Sequence, residues 1–156
     1  MLSPLEIEAL SLSLKVAVWA VACSLLPGIA IAWLLARRDF PGKALLDGVV
    51  HLPLVLPPVA LGYLLLVLFG RNGPVGAWLH DWFDISLVFS WRGAALAAAV
   101  MAFPLLVRAI RLSMEAVDQR LETAARTLGA RPLRVFLTIT LPLTTPGILT
   151  GLLLAF

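Results

Sequence analysis

Charge is what this chain has least of. Only 13% of its 156 residues are Asp, Glu, Lys or Arg, while 61% are hydrophobic. Soluble domains carry about 25% charge, so the composition excludes an ordinary water-soluble fold and indicates a membrane protein. At 16.8 kDa it makes one domain at most. Cysteine is nearly absent as well. The lone Cys23 lies in an apolar run, which excludes an internal disulfide and a multi-cysteine metal site and leaves a small packed hydrophobe. The first ten residues hold no Lys or Arg but do hold Glu6 and Glu8, so no cleavable leader is expected. The apolar runs contain only isolated Ser, Cys and His. There is no Gly-x-Ser-x-Gly, no His-Glu-x-x-His and no phosphate-binding loop. An intramembrane protease or lipid-modifying enzyme therefore has nothing to work with. The net charge is +3. Because the arginines flank apolar runs, membrane orientation explains them better than nucleic acid does.

What is present is a series of membrane-length apolar runs. The first covers residues 16–36, with Lys15 at one end, Arg37 and Arg38 at the other, and Pro27-Gly28 predicting a kink. Residues 39–47 read as a short polar turn. A second run covers residues 48–69 and holds Pro53, Pro57 and Pro58, so a straight helix is not expected. The backbone groups these prolines free must find partners in protein or a wet cavity. His51 in this run reads either as an interfacial histidine near the headgroups or as a residue facing a polar path, and Pro57 and Pro58 are candidates for the same path. Residues 70–92 form a loop with turn signals at Asn72-Gly73-Pro74. Its Trp78, Trp82 and Trp91 suggest an aromatic belt with a surface or re-entrant helix. A third run starts near Gly93 and reaches Val107, or Ile110 if Arg108 snorkels. Its small residues form either a packing face or a face toward a second copy of the chain, and Pro104 is a kink and a candidate path residue. A fourth run from about Pro146 is some eleven residues long, roughly 16 Å of helix. That is too short to cross about 30 Å of hydrocarbon, and the expectation is a chain that stops mid-span.

Between the third and fourth runs lies the one long segment of mixed polarity, residues 118–142. Leu121, Ala124, Ala125 and Leu128 fall on one face of a helix. Asp118 is a candidate N-cap and Gly129 a candidate left-handed C′ residue. Glu122 and Arg126 are spaced to pair on the solvent side. Pro132 can open a second helix, on which Leu133, Phe136 and Leu137 repeat the apolar spacing. Two readings stay open on periodicity alone: a hairpin packed under the membrane, or a docking element. Counting Lys and Arg gives three in residues 37–47 and six in 108–140, against two in 70–92 and none in the first ten residues. The positive-inside rule then puts the N-terminus outside and this segment in the cytoplasm.

The spacing Ala124-Ala125, Gly129, Ile139, Leu141-Pro142 resembles the signature loop of ABC importer permeases. The departure is Thr123, which stands where that family has glutamate, while Glu122 sits one residue earlier. The stretches at residues 36–66, 89–112 and 121–148 resemble the molybdate branch of the family, with sulfate permeases as near relatives. The resemblance implies an all-α, polytopic membrane helix bundle over residues 10–156: three full spans, the start of a fourth, and a cytoplasmic coupling helix pair at 118–142. It further implies a permease that is not itself an enzyme. ATP and Mg2+ would be bound by a partner ABC ATPase, a second permease copy would complete the pathway, and a periplasmic binding protein would deliver the oxyanion. The residues it implies for ATPase coupling are Leu121, Glu122, Ala124, Ala125, Leu128, Gly129, Ile139, Leu141 and Pro142. A sulfate, thiosulfate or tungstate permease is the alternative within the family; a truncated, non-transporting membrane subunit or an intramembrane enzyme is the alternative from another class.

Overall fold

A computed structural model describes residues 3–71, 73–83 and 90–156, and these are helical almost throughout. The helices are α1 (Pro4–Arg37), α2 (Lys43–Val55), α3 (Pro58–Phe69), α4 (Pro74–Phe83), α5 (Trp91–Ala116), α6 (Gln119–Thr127), α7 (Pro132–Val135), α8 (Leu141–Leu143) and α9 (Thr145–Ala155), with a π-helical stretch at Phe136–Thr140 joining α7 to α8. Asn72 of the expected turn lies outside the described residues.

The first span begins earlier than its composition suggests. Ser3 caps α1 by accepting from the Glu6 amide, and the Glu6 carboxylate accepts from the Ser3 amide. This reciprocal box starts the helix at Pro4 rather than near Val16. Pro27 is contained within the one continuous helix. Thirty-four residues make about 51 Å of helix, and residues 3–14 are exposed.

α1 buries Ala20, Ser24, Gly28, Ala32 and Leu35, a stripe at nearly four-residue spacing made mostly of small side chains. In lipid there is little hydrophobic drive between helices, so close backbone approach supplies the packing. The stripe lies on α5. A Cβ at Gly28 would stand 3.0 Å from Leu106 Cδ2. α9 also packs on α5, beside α1, where Gly147 and Gly151 form a Gly-x-x-x-Gly pair. A Cβ at Gly147 would run into the Ser113 side chain, and one at Gly151 would meet Leu106 Cδ1 at 3.0 Å. Leu106 is thus clasped between α1 and α9, in a core that also holds Leu35, Val107, Ile110 and Met114, all fully buried.

α1 and α5 run parallel. Trp19 meets Trp91 at 6.1 Å between ring centroids at one end, Gly28 meets Leu106 midway, and Arg37 donates to the Val117 carbonyl at 3.3 Å at the other. Parallel neighbours require the intervening chain to return across the bundle. It does so as two short helices rather than one straight helix: α2 and α3 are bent by 113° at Leu56-Pro57. The cause is local. Proline restricts the residue before it to extended backbone, and Leu56 and Pro57 are both extended, with ψ of 138°. α2 starts at Lys43 within the expected turn, where Lys43 Nζ donates to Asp39 at 2.9 Å and so holds the Asp39 carboxyl below its usual range.

The third span is longer than its apolar core. Ser90 caps α5 at Trp91, and the helix runs through Arg108 and Arg111 to Ala116, with Pro104 buried inside it. α4 realises the helix expected in the tryptophan-rich loop, with Trp78 and Trp82 exposed.

Candidate functional site

The arginine-rich end of the bundle carries the segment singled out by its polarity. The Asp118 side chain accepts from the Arg120 amide at 2.9 Å and opens α6. Gly129 has φ +84°, its amide bonds the Arg126 carbonyl at 2.9 Å, and the Ala130 amide bonds the Ala125 carbonyl at 3.1 Å. That pair is a Schellman closure, which needs a left-handed C′ residue. Pro132 then starts α7. The bend at Gly129 and the helix pair are as the sequence indicates.

The faces of α6 are reversed from the simplest expectation. Its apolar stripe points away from the bundle: Leu121 is 50% exposed, Leu128 is 89% exposed, Ala124 is exposed and Ala125 half-buried. Glu122, expected in solvent with Arg126, is buried instead. Its Oε1 lies 2.8 Å from Arg37 Nη2 and accepts from the Thr140 hydroxyl at 2.9 Å, while Arg126 reaches only Oε2, at 3.9 Å. Three elements therefore meet on one carboxylate: the end of α1, the middle of α6 and the π-helical stretch. Arg37 also holds the Val117 carbonyl at the elbow between α5 and α6.

The π-helical stretch has an evident cause. Pro142 cannot donate to the carbonyl four residues back, and its ring would collide there. The Leu141 amide instead reaches back five residues to Phe136. The widened turn brings Thr140 inward, fully buried, against Glu122. Ile139 and Leu141 are half-buried and Pro142 is exposed. The Ile-x-Leu-Pro spacing thus shapes the turn that completes the Glu122 contact.

His51 and the prolines sit elsewhere. His51 Nδ1 lies 2.9 Å from the Asp47 carbonyl, and Asp47 pairs with Arg111 at 3.1 Å, which in turn bonds Glu115 at 2.8 Å. With Arg108 these groups line a cavity of about 330 Å³ between α2 and α5. Pro57 and Pro58 are exposed at the α2–α3 break, and Pro104 is buried in the α5 packing. Among the described residues, no cluster of three or more His, Cys, Asp or Glu could hold a metal ion.

The contacts also fix which ends share a side. Arg37–Glu122 and Asp47–Arg111 place residues 37–47 with residues 108–140. Lys15 Nζ sits 4.1 Å over Trp91 at the opposite end, where Phe69 lines the same cavity as Trp19 and Trp91.

Comparison with known proteins adds the family. The chain is 67% identical over 151 residues to the molybdenum transport system permease protein ModB of Escherichia coli K12, covering 97% of this chain and 66% of that protein. It is 61% identical over 152 residues to the ModB of Haemophilus influenzae, with 97% and 66% covered. The sulfate transport system permease protein CysW of Synechocystis is 38% identical over 147 residues, with 94% and 53% covered. The chain thus spans about two thirds of the length of the ModB proteins it matches. Residues 28–156 match the family model of the binding-protein-dependent transport system inner membrane component, which includes the helix pair, its glycine bend and the proline-shaped turn, and the chain belongs to that family.

Proposed function

We propose that this chain is the membrane-embedded permease part of an ATP-driven importer for molybdate. The observation that carries this reading is 67% identity to a molybdenum permease, sustained over 97% of the chain. The geometry supports a division of labour. α6 offers the apolar face of Leu121, Ala124, Ala125 and Leu128 to a groove on a partner ATPase, which binds ATP and Mg2+; helix-in-groove docking is a common recognition mode. Gly129 fixes the angle to α7, and Ile139, Leu141 and Pro142 shape the turn behind it. Glu122 acts as a tether that passes motion of α6 to α1 and the α5 elbow through Arg37. A second permease copy and a periplasmic binding protein complete the transporter. The α2–α3 break at Pro57-Pro58, with His51 nearby, lies toward the path, because irregular backbone at membrane depth is tolerated where it faces protein or water. In this reading α6 is cytoplasmic and the N-terminus outside, which nine cationic residues at the α6 end against three at the other support.

The test is a chimera in which these 156 residues replace the matching part of Escherichia coli ModB. Restored molybdate uptake in a strain lacking that protein is the expected result. Uptake of sulfate but not molybdate would favour the second reading, a sulfate permease, which the 38% identity to CysW supports. A chimera that inserts and recruits the ATPase yet moves neither anion would overturn both.

A further inference from the structure

A groove of about 610 Å³ runs along the last three turns of α1 and under the α6–α7 pair. Leu26, Ile29 and Trp33 wall one side, and Leu133 and Phe136 the other. Its polar end is made of Arg37, Arg38 and Arg126, and among the described residues no carboxylate lines it. The size is that of a ligand site. The distribution of chemistry is more specific. From Leu26 to Arg37 is eleven residues, about 16 Å of helix, roughly half of a 30 Å hydrocarbon core. The groove is therefore apolar over one leaflet and cationic where that leaflet ends. Trp33 marks the boundary, with the Arg38 guanidinium 5.7 Å over its ring. Behind the rim, the Arg37 side chain is only 7% exposed, and its Nε and Nη1 have no hydrogen-bond partner among the described residues. Glu122, 2.8 Å from Arg37 and 3.9 Å from Arg126, offsets one of the three guanidinium charges and leaves a net positive rim.

We infer that this groove binds an anionic phospholipid of the inner membrane, with its phosphate between Arg38 and Arg126 and an acyl chain along Leu26, Ile29 and Trp33. An apolar helix covering the groove would strand two guanidinium groups, whereas a lipid matches both halves. Basic pockets between membrane helices recognise anionic headgroups in this way. The consequence follows from where the two arginines stand: Arg38 follows α1 and Arg126 is on α6. A bound headgroup joins the spanning helix to the α6 helix beside the Arg37–Glu122 link, so the anionic lipid content of the membrane sets how firmly α6 is held. That consequence for transport rests on the proposed function; the binding does not.

The experiment uses the full-length permease, purified and examined by native mass spectrometry with phosphatidylglycerol or phosphatidylcholine of the same acyl chains. Retention of phosphatidylglycerol over phosphatidylcholine is expected. It should fall at least about five-fold in Arg38→Gln/Arg126→Gln and recover in Arg38→Lys/Arg126→Lys, while Arg134→Gln, outside the groove, leaves it unchanged. Brominated phosphatidylglycerol should quench a component of tryptophan fluorescence that is missing in Trp33→Phe. Glycerol phosphate, with the charge but no acyl chain, should not displace the lipid. Equal retention of the two lipids, or no effect of the paired glutamines, would overturn the site. So would a photo-crosslinker at Ile29 that captures polypeptide, whether a second copy or another part of the same chain, in place of lipid. Lipid selectivity in a protein that moves no molybdate would sink the proposed function alone; transport without lipid selectivity would sink only this inference.

Discussion

Arg37 and Glu122, eighty-five positions apart in the chain, meet at 2.8 Å with their side chains 93% and 90% buried. The contact joins the end of the first membrane helix to a helix that otherwise shows its apolar face outward. It is the main polar tie of α6 to the bundle, reinforced by the Thr140 hydroxyl.

Removing one partner should be worse than removing both. Breaking a buried pair by truncating one side typically costs about 3–5 kcal/mol, because the remaining charge is left uncompensated. Glu122→Gln and Arg37→Met should each lower the melting temperature of the full-length permease in detergent, and the double variant should recover part of the loss. Strictly additive losses would show that the two residues do not interact energetically.

At Gly129 the cost comes from the backbone and not from crowding. Its φ is +84°, and an added Cβ would meet nothing within 4 Å. A β-branched residue there is strained by about 1–3 kcal/mol, whereas Asn visits this conformation readily. In a full-length relative with this loop, Gly129→Val should uncouple ATP hydrolysis from transport while Gly129→Asn stays close to normal. Equal behaviour of the two variants would remove the hinge from the mechanism.

The outward face of α6 predicts a steric interface with the ATPase. Overpacking such a contact costs about 1–3 kcal/mol. Ala125→Leu should abolish co-purification of the ATPase, and Arg120→Gln, at the start of the same helix, should leave it intact. The reverse pattern would mean that charge rather than the Leu121–Ala124–Leu128 face makes the contact.

Two glycines on α9 should differ in their tolerance. Gly147 lies against the Ser113 side chain with no room for a methyl group, while a Cβ at Gly151 would stand 3.0 Å from Leu106 Cδ1 and 3.2 Å from the Leu106 carbonyl, tight contacts but not overlaps. Gly147→Ala should therefore cost more stability, on the order of 1–3 kcal/mol, and Gly151→Ala less. Thermal unfolding of the two variants side by side decides it.

Sidedness can be read by cysteine labelling once Cys23 is replaced. Gly76 is a poor outside site, because a Cβ there would strike the Phe69 and Gly70 carbonyls. Asp81 is exposed on α4 and suits the purpose. Asp81→Cys should react in sealed cells, and Gln119→Cys only after permeabilisation. Labelling of Gln119→Cys in sealed cells would invert the proposed orientation.

The sequence by itself determined what depends on neighbours along the chain. Low charge and long apolar runs set the membrane class, because every backbone polar group must be satisfied within a helix there. Asp118, Gly129 and Pro132 set the two-helix bend, since capping and left-handed closure are local chemistry. The signature spacing marked residues 118–142 and the family. The Ser3–Glu6 box and the Gly147–Gly151 pair are equally local signals. Reading them would have placed the start of α1 at Pro4 and the packing face of α9. Only the tertiary structure decided which face of α6 turns inward. The helical periodicity is the same whether the apolar stripe packs or is presented. What selects is Arg37 at the end of a distant helix, which offers a buried countercharge at 2.8 Å and draws Glu122 in. The parallel pairing of α1 and α5 was likewise beyond the local pattern, as was the size of the angle between α2 and α3, 113°, although the prolines themselves marked the break. Prolines indicate that a helix breaks, but the direction of the next helix follows from what it packs against.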